Sequence, residues 1–200
     1  MPKLADEALE ARRREIIAAA IRCFARSGLH ATTMRDIFRE AGLSAGAVYN
    51  YYQSKDEIVA AVVDANSDAS LAVLSDLGDG PVSPDAFMGL IDAFLDDLPA
   101  AGADGRARMA QLIAAEAAVS PALGGRVREK RAAIRALAAR RVAALKPGAA
   151  EDERERLLAF VFHLYEGMLT SVALGESVDV KGMRAMIDHV IAGWPERRPA

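Results

Sequence analysis

Apolar residues in this chain recur every three or four positions, and nowhere do they alternate for long enough to make a strand. That period lays one side of a helix on a core, so the expected fold is all-α. Ile17, Ala20, Ile21 and Phe24 mark the inward stripe of a first helix, which Ser27-Gly28 ends. Met34, Ile37, Phe38 and Ala41 do the same for a second, capped by Thr33 and stopped by Gly42. Ser44 caps a third and very short helix, in which only Val48 and Tyr52 have core-compatible spacing. Ser54-Lys55-Asp56-Glu57 has the capping-box pattern and opens a fourth, with Ile58, Val59, Val62 and Val63 inward.

Further along, Gly78-Asp79-Gly80-Pro81 breaks the chain and Ser83-Pro84 restarts it, with proline at the first helical position. That helix is expected to end near Leu98, ahead of Pro99 and the glycines at 102 and 105. The next carries Met109, Leu112 and Ile113, and an Arg- and Ala-rich helix runs from Pro121 to about Leu145, before Lys146-Pro147-Gly148. Residues 151–174 form the most apolar segment, and a last helix opens at Asp179 and closes near Gly193-Trp194-Pro195, leaving a frayed tail. The reading gives about nine helices and no internal repeat.

With 200 residues, 52% of them hydrophobic, the chain can bury a sizeable core. Its opening MPKLADEALEARRREII is charged within a dozen residues and lacks the apolar centre of a secretory signal. No apolar run approaches the ~20 residues that span a bilayer. Cys23 is the only cysteine, so no intrachain disulfide can form and a cytoplasmic address with no membrane partner is expected. The net charge of −3 is unevenly spread: residues 1–55 hold nine Lys/Arg against six Asp/Glu, and the rest holds 16 against 22. A mildly basic head on an acidic body suits a polyanion-binding module joined to something else.

The run Tyr49-Asn50-Tyr51-Tyr52 sharpens this. A two-turn helix can bury one side only, so if Val48 and Tyr52 face inward then Tyr49, Asn50 and Tyr51 face out. Two short helices, 34–41 and about 45–52, joined by Gly42-Leu43-Ser44, make a helix-turn-helix. In such a unit the second helix enters the major groove of DNA. Ala45, Gly46 and Ala47 are small enough for close approach, and the helix start attracts phosphate. Phenol hydroxyls and the Lys55 ammonium suit phosphates, and the Asn50 amide suits base edges. The alternative is that the tyrosines pack on neighbouring helices and that Thr33 and Ser44 are caps alone.

The stretch TTMRDIFREAGLSAGAVYNYYQSKDEIV resembles the amino-terminal signature of TetR-type bacterial one-component regulators. The likeness extends over about residues 13–63 and includes Gly46-Ala-Val-Tyr49 and the Ser54-Lys55 entry to the next helix. It implies a DNA-binding domain over 1–55, a connecting helix over about 55–76, and an effector-binding and dimerisation domain over 56–200. It also implies DNA contacts from Thr33, Arg35, Ser44, Ala45, Gly46, Ala47, Tyr49, Asn50, Tyr51 and Lys55. Ala45 and Ala47 stand where many members carry a longer polar side chain, which shifts base readout toward Arg35, Asn50 and groove shape. Repression of a near-palindromic operator by a homodimer, relieved by a small-molecule effector, is the implied activity.

In the body, residues 157–174 are apolar on more than one side, and Gly167 and Ser171 would let a partner helix come close. A dimer interface is expected from Phe160, His163, Leu164, Gly167, Ser171, Leu174, Met183, Met186, Ile187 and Val190. Candidate cavity residues are Met88, Phe94, Met109, Ile113, Glu116, Phe162, Tyr165, Glu166 and Met168, each of which can also be plain core. No cofactor and no metal is expected. Two rival readings stand beside this one. One is an enzyme, weakened by scattered histidines (His30, His163, His189) and the lack of any phosphate loop or metal-spaced pair. The other is a helical interaction protein without a DNA role. His163 and Glu166, three apart, are read as a polar pair at an interface, with a metal site as the alternative.

Overall fold

Short polar side chains stand at most of the helix starts, where they can hold backbone N–H groups that a helix leaves unpaired. The computed structural model describes residues 2–75, 83–145 and 148–193, and among them it shows nine α-helices and no strand. These are α1 (Pro2–Ala31), α2 (Met34–Ala41), α3 (Ala45–Tyr49), α4 (Lys55–Ser75), α5 (Pro84–Ala103), α6 (Arg106–Val119), α7 (Pro121–Leu145), α8 (Glu151–Ala173) and α9 (Val180–Gly193). The breaks expected at residues 78–81 and 146–147, and the tail after Gly193, lie outside the described residues.

Caps fall close to where the sequence put them. Ser83 Oγ accepts from Ala86 N at 3.1 Å, and Asp179 Oδ1 accepts from Gly182 N at 2.9 Å. At α4, Ser54 Oγ accepts from Glu57 N at 3.2 Å, while the Glu57 carboxylate reaches back to Gln53 N at 2.7 Å, one residue before the expected partner.

Three boundaries differ from expectation. Gly28 does not end α1; it kinks it at φ 80°, ψ 166°, and residues 29–31 make one more turn. Only glycine takes that conformation without strain. Pro99 does not end α5, which runs on to Ala103. Proline in a helix interior is costly, and here burial of Leu95, Leu98 and Ala101 along the same helix offsets it. The stop comes instead at Gly105, whose φ of 86° turns the chain, and Arg106 clamps the turn against Asp97 and Asp104 at 2.6 Å each. Finally, α3 covers only five residues; Asn50 and Tyr51 form a turn after it.

Two apolar clusters organise the helices. The first joins Ile16, Cys23 and Phe24 of α1 to Ile37 of α2, Val48 of α3 and Tyr52, and to Ile58, Val59, Val62 and Val63 of α4. Met109 and Ile113 of α6 complete it. The second gathers Phe87, Leu90, Ile91, Leu95 and Leu98 of α5, Val142 of α7, Leu157, Leu158 and Met168 of α8, and Ile187 and Ile191 of α9. Leu74, near the far end of α4, belongs to this second cluster, so α4 is shared by both. Each fully buried aliphatic or aromatic side chain contributes roughly 1.5–3 kcal/mol.

Candidate functional site

The turn between α2 and α3 is built by local chemistry. Thr33 Oγ1 accepts from Asp36 N at 3.2 Å, and the Asp36 carboxylate takes the Thr33 N–H at 3.0 Å and its hydroxyl at 2.7 Å. Those two Thr33 bonds hold the Asp36 carboxyl below its ordinary value. Gly42 adopts φ 67°, ψ 24°, and the following Leu43 N–H closes on Phe38 O at 3.0 Å. Ser44 Oγ then accepts from Ala47 N at 3.2 Å and starts α3.

Val48 and Tyr52 turn inward, as their spacing predicts, and fix the rotation of α3 on its axis. Ala45, Gly46, Tyr49 and Asn50 are exposed on the other side. A Cβ on Gly46 would meet nothing within 4 Å, and its φ is not left-handed. Nothing inside the protomer demands a glycine there, so the bare backbone suits approach from outside. The Tyr49 ring is 42% exposed, with its edge against Phe38 at 5.3 Å between centroids. The Tyr49 hydroxyl and the Asn50 side-chain amide make no hydrogen bond among the described residues. Tyr51 departs from the expected outward position: it is half-buried against the first cluster.

The cations sort themselves as sharply. Arg22 and Arg26 both bind Glu40, at 2.7 and 3.2 Å, and depress its carboxyl pKa. Arg39 pairs with Asp36 at 2.8 Å, Arg12 with Glu15 at 2.6 Å and Arg13 with Glu10 at 3.7 Å. Lys55, expected to face phosphate, donates to Leu29 O at 2.7 Å, Thr32 O at 3.1 Å and His30 O at 3.4 Å. It ties α4 to the extra turn that follows the Gly28 kink. Among the described residues of this region, Arg14 and Arg35 are the cations with no anionic or carbonyl partner, and both are exposed. Thr33 and Ser44 are exposed as well, while Ala47 is half-buried.

The family model described as bacterial regulatory proteins of the TetR family matches residues 16–62, which are the helices just described. Residues 16–62 are thus similar to the amino-terminal region of TetR-family regulators. A transcriptional repressor of Mycobacterium tuberculosis is 36% identical over 75 residues, covering 38% of this chain and 40% of the relative. The YfiR regulator of Bacillus subtilis is 33% identical over 97 residues, covering 48% and 45%. The chain thus spans less than half the length of these curated relatives. Over nearly its whole length it shares a fold with a transcriptional regulator from Saccharomonospora viridis solved in complex with choline: TM-score 0.74, 20% identity, 94% of this chain and 100% of that one.

Beyond the TetR-type helices, the body encloses a cavity of about 250 Å³ between α4, α5, α7, α8 and α9. Of the candidates named from sequence, Phe94, Phe162, Tyr165, Glu166 and Met168 line it. Phe94 and Tyr165 meet edge to face at 5.6 Å, and burial, with the Asp97 charge, pushes the Tyr165 hydroxyl above its ordinary value. Met88 packs on the second cluster without lining the cavity. Met109 and Ile113 belong to the first cluster instead, and Glu116 pairs with His30 at 3.0 Å, across the seam between α6 and α1. Sequence reasoning missed Phe87, Leu90, Ile134, Leu158 and the two guanidiniums Arg131 and Arg135, whose period reads only as core or as solvated face.

His163 and Glu166 do not pair: Glu166 binds Arg131 at 2.8 Å and His163 is exposed. Among the described residues no group of three or more His, Cys, Asp or Glu is placed to hold a metal, and no helix is long and apolar enough to cross a membrane. Of the candidate interface residues, Leu174 and Met186 are 73% and 59% exposed, and a Cβ on Gly167 would meet open space. His163 and Gly167 are exposed, and Phe160, Leu164, Ser171, Met183 and Val190 are partly so. Ile187 alone is fully buried; it packs in the second core and lines the cavity.

Proposed function

We propose that this chain is a DNA-binding transcriptional repressor that acts as a homodimer and is released from its operator by a small molecule held in the body cavity. The observation that carries the reading is the outward face of α3. Gly46 leaves an open approach and Tyr49 and Asn50 present unpaired polar groups, while Val48 locks the helix rotation. Arg35, on α2 beside it, supplies a free cation. Phosphate contacts from Arg35, Thr33, Ser44 and the Tyr49 hydroxyl would position the unit, and Asn50 would read a base edge. Residues 1–55 form the DNA-binding domain and 56–200 the effector and dimerisation domain, with Ala45, Ala47 and Tyr51 shaping the face and Lys55 bracing it.

Two copies are needed to meet successive major grooves about 34–36 Å apart. The exposed Leu174 and Met186, with Gly167 open to a close neighbour, supply an apolar face on α8 and α9 for that pairing. Because α4 contributes to both clusters, a shift of its Leu74 end against the cavity tilts its Ile58 end under the DNA-reading helices. Effector and operator then weaken each other by the same factor. The choline of the Saccharomonospora relative is a quaternary cation, which aromatic faces attract. Here Arg135 already lies over the Phe162 ring at 5.3 Å, so choline does not carry over.

Selection of duplexes from a random pool tests the reading. Enrichment of a near-palindrome, bound steeply less tightly as salt rises, is the expected result, and sedimentation should give a dimer. No enriched sequence, or a monomer at micromolar concentration, would refute it.

A further inference from the structure

We propose that the cavity takes an amphipathic anion: an apolar body of about ten carbon atoms with one negatively charged head, the head held by Arg131 and Arg135. The proposal rests on the effector reading above and names the chemistry of that effector.

Size comes from the cavity. An apolar cavity of about 150 Å³ accepts the six carbons of benzene, and by that ratio the 250 Å³ here accepts about ten. The walls are apolar, with Phe87, Leu90, Phe94, Leu158, Phe162 and Leu169 among them. A body of linked methylenes or a small ring fits such a wall without leaving polar atoms unpaired.

Charge comes from the few polar lining groups. Ser70 Oγ is already bonded to Asn66 O at 3.1 Å. Glu166, the one carboxylate among the lining residues, is neutralised by Arg131 at 2.8 Å. Among the described residues Arg135 has no carboxylate within ion-pair distance; its guanidinium rests on the Phe162 face. Two guanidiniums and one carboxylate leave one positive charge in excess, and guanidinium offers donors and no acceptor. Arg131 also lines an adjoining cleft with Asn66, Ser67 and Lys130, so it stands where the two spaces meet. Lys130 is engaged by two carboxylates, Asp64 at 3.4 Å and Asp68 at 3.6 Å, which leaves Arg135, with the Arg131 donors that Glu166 does not take, as the head-group cations. Both arginines are exposed, so the head stays at the mouth, partly hydrated, while the body enters the cavity.

Calorimetric titration of the full chain, without DNA, tests this with decanoate, decanol and decyltrimethylammonium below their aggregation concentrations, and with acetate. Decanoate is expected to bind one per chain, at least tenfold tighter than decanol, with the cation weakest and acetate silent. Arg131→Gln with Arg135→Gln should bring decanoate down to the decanol level or below it, since Glu166 then stands unpaired, and should change decanol binding far less. Should that variant fail to fold, the head-group series on the unaltered chain decides alone. Equal affinity for decanoate and decanol, tighter binding of the cation, or no binding by any of the three would overturn the proposal. Duplex affinity is read separately by fluorescence anisotropy. Binding of decanoate without release of duplex would support the ligand class and refute the release mechanism.

Discussion

The two apolar clusters that meet on α4 are packed to different standards. The first is close-packed at its centre: Ile16, Phe24, Ile37, Val48, Ile58 and Val62 are wholly buried, and Thr32, the polar side chain buried beside them, donates to Gly28 O at 2.7 Å. The second surrounds a void, and aromatic residues such as Phe94 and Phe162 stay partly accessible along it. A reader of a rigid polymer has to hold its contacts at fixed spacing, which close packing does. A receptor must leave room and accept repacking around whatever enters. On the proposed function, the contrast separates a fixed surface from an interior with room for a ligand, and α4, whose residues join both clusters, connects them.

Removing a ring from each cluster is the harshest test of that contrast. Phe24→Ala should destabilise by about 3–5 kcal/mol and abolish duplex binding. Phe94→Ala, which loses a half-accessible ring and its edge contact with Tyr165, should fall short of that and widen the cavity. Urea unfolding measures both, and equal losses would erase the distinction.

Next in size is Gly167→Trp. Since a Cβ there meets open space, the protomer should keep its stability, while the dimer weakens by about 1–3 kcal/mol through overpacking. Sedimentation across a concentration series reads the shift, and an unchanged dimer would move the interface elsewhere. Gly105→Ala addresses the link between regions. Its φ of 86° and the 2.7 Å approach of a new Cβ to the Ala25 side chain should cost about 1–2 kcal/mol and loosen α6 from α1, seen as a lower thermal midpoint.

The smallest effect is one of pH. Glu40 and Asp36 titrate below their ordinary values of 4.5 and 3.8, because Arg22 with Arg26 and Thr33 respectively favour the charged forms. A depressed folded-state value means the stabilisation is complete above those ordinary values and is lost as pH falls through the lowered ones. Mild acid should therefore soften the amino-terminal cluster slightly, and Glu40→Gln should flatten that response in thermal melts taken from pH 6 down to 3.

Much of the first cluster was legible because its signals are local. Thr33, Gly42 and Ser44 act within four residues of themselves, and the Val48/Tyr52 spacing sets the rotation of α3 without help from distant chain. What sequence could not supply was which core an apolar stripe joins. Met109 and Ile113 have the period of a buried face, yet they join the amino-terminal cluster built on α1, and Ile187 turns into the body when its neighbours face out. Lys55 is the same lesson in polar form. Its three carbonyl partners come within reach because Gly28 bends α1 twenty-seven positions earlier, and no local pattern announces that. Arg131 and Arg135 read as a solvated face until Phe162 and Glu166 of α8 are placed against them.

The central claim is that the outward face of α3, with Arg35 beside it, binds DNA. Its most direct test is the affinity of an Arg35→Gln, Tyr49→Phe, Asn50→Ala triple variant for the selected duplex, measured by anisotropy at fixed salt. Tyr49→Phe keeps the ring on Phe38, and Lys55 is left to hold its carbonyls, so the fold is spared. The account predicts affinity lower by a hundredfold or more with an unchanged thermal midpoint. Affinity within threefold of the unaltered protein would contradict it.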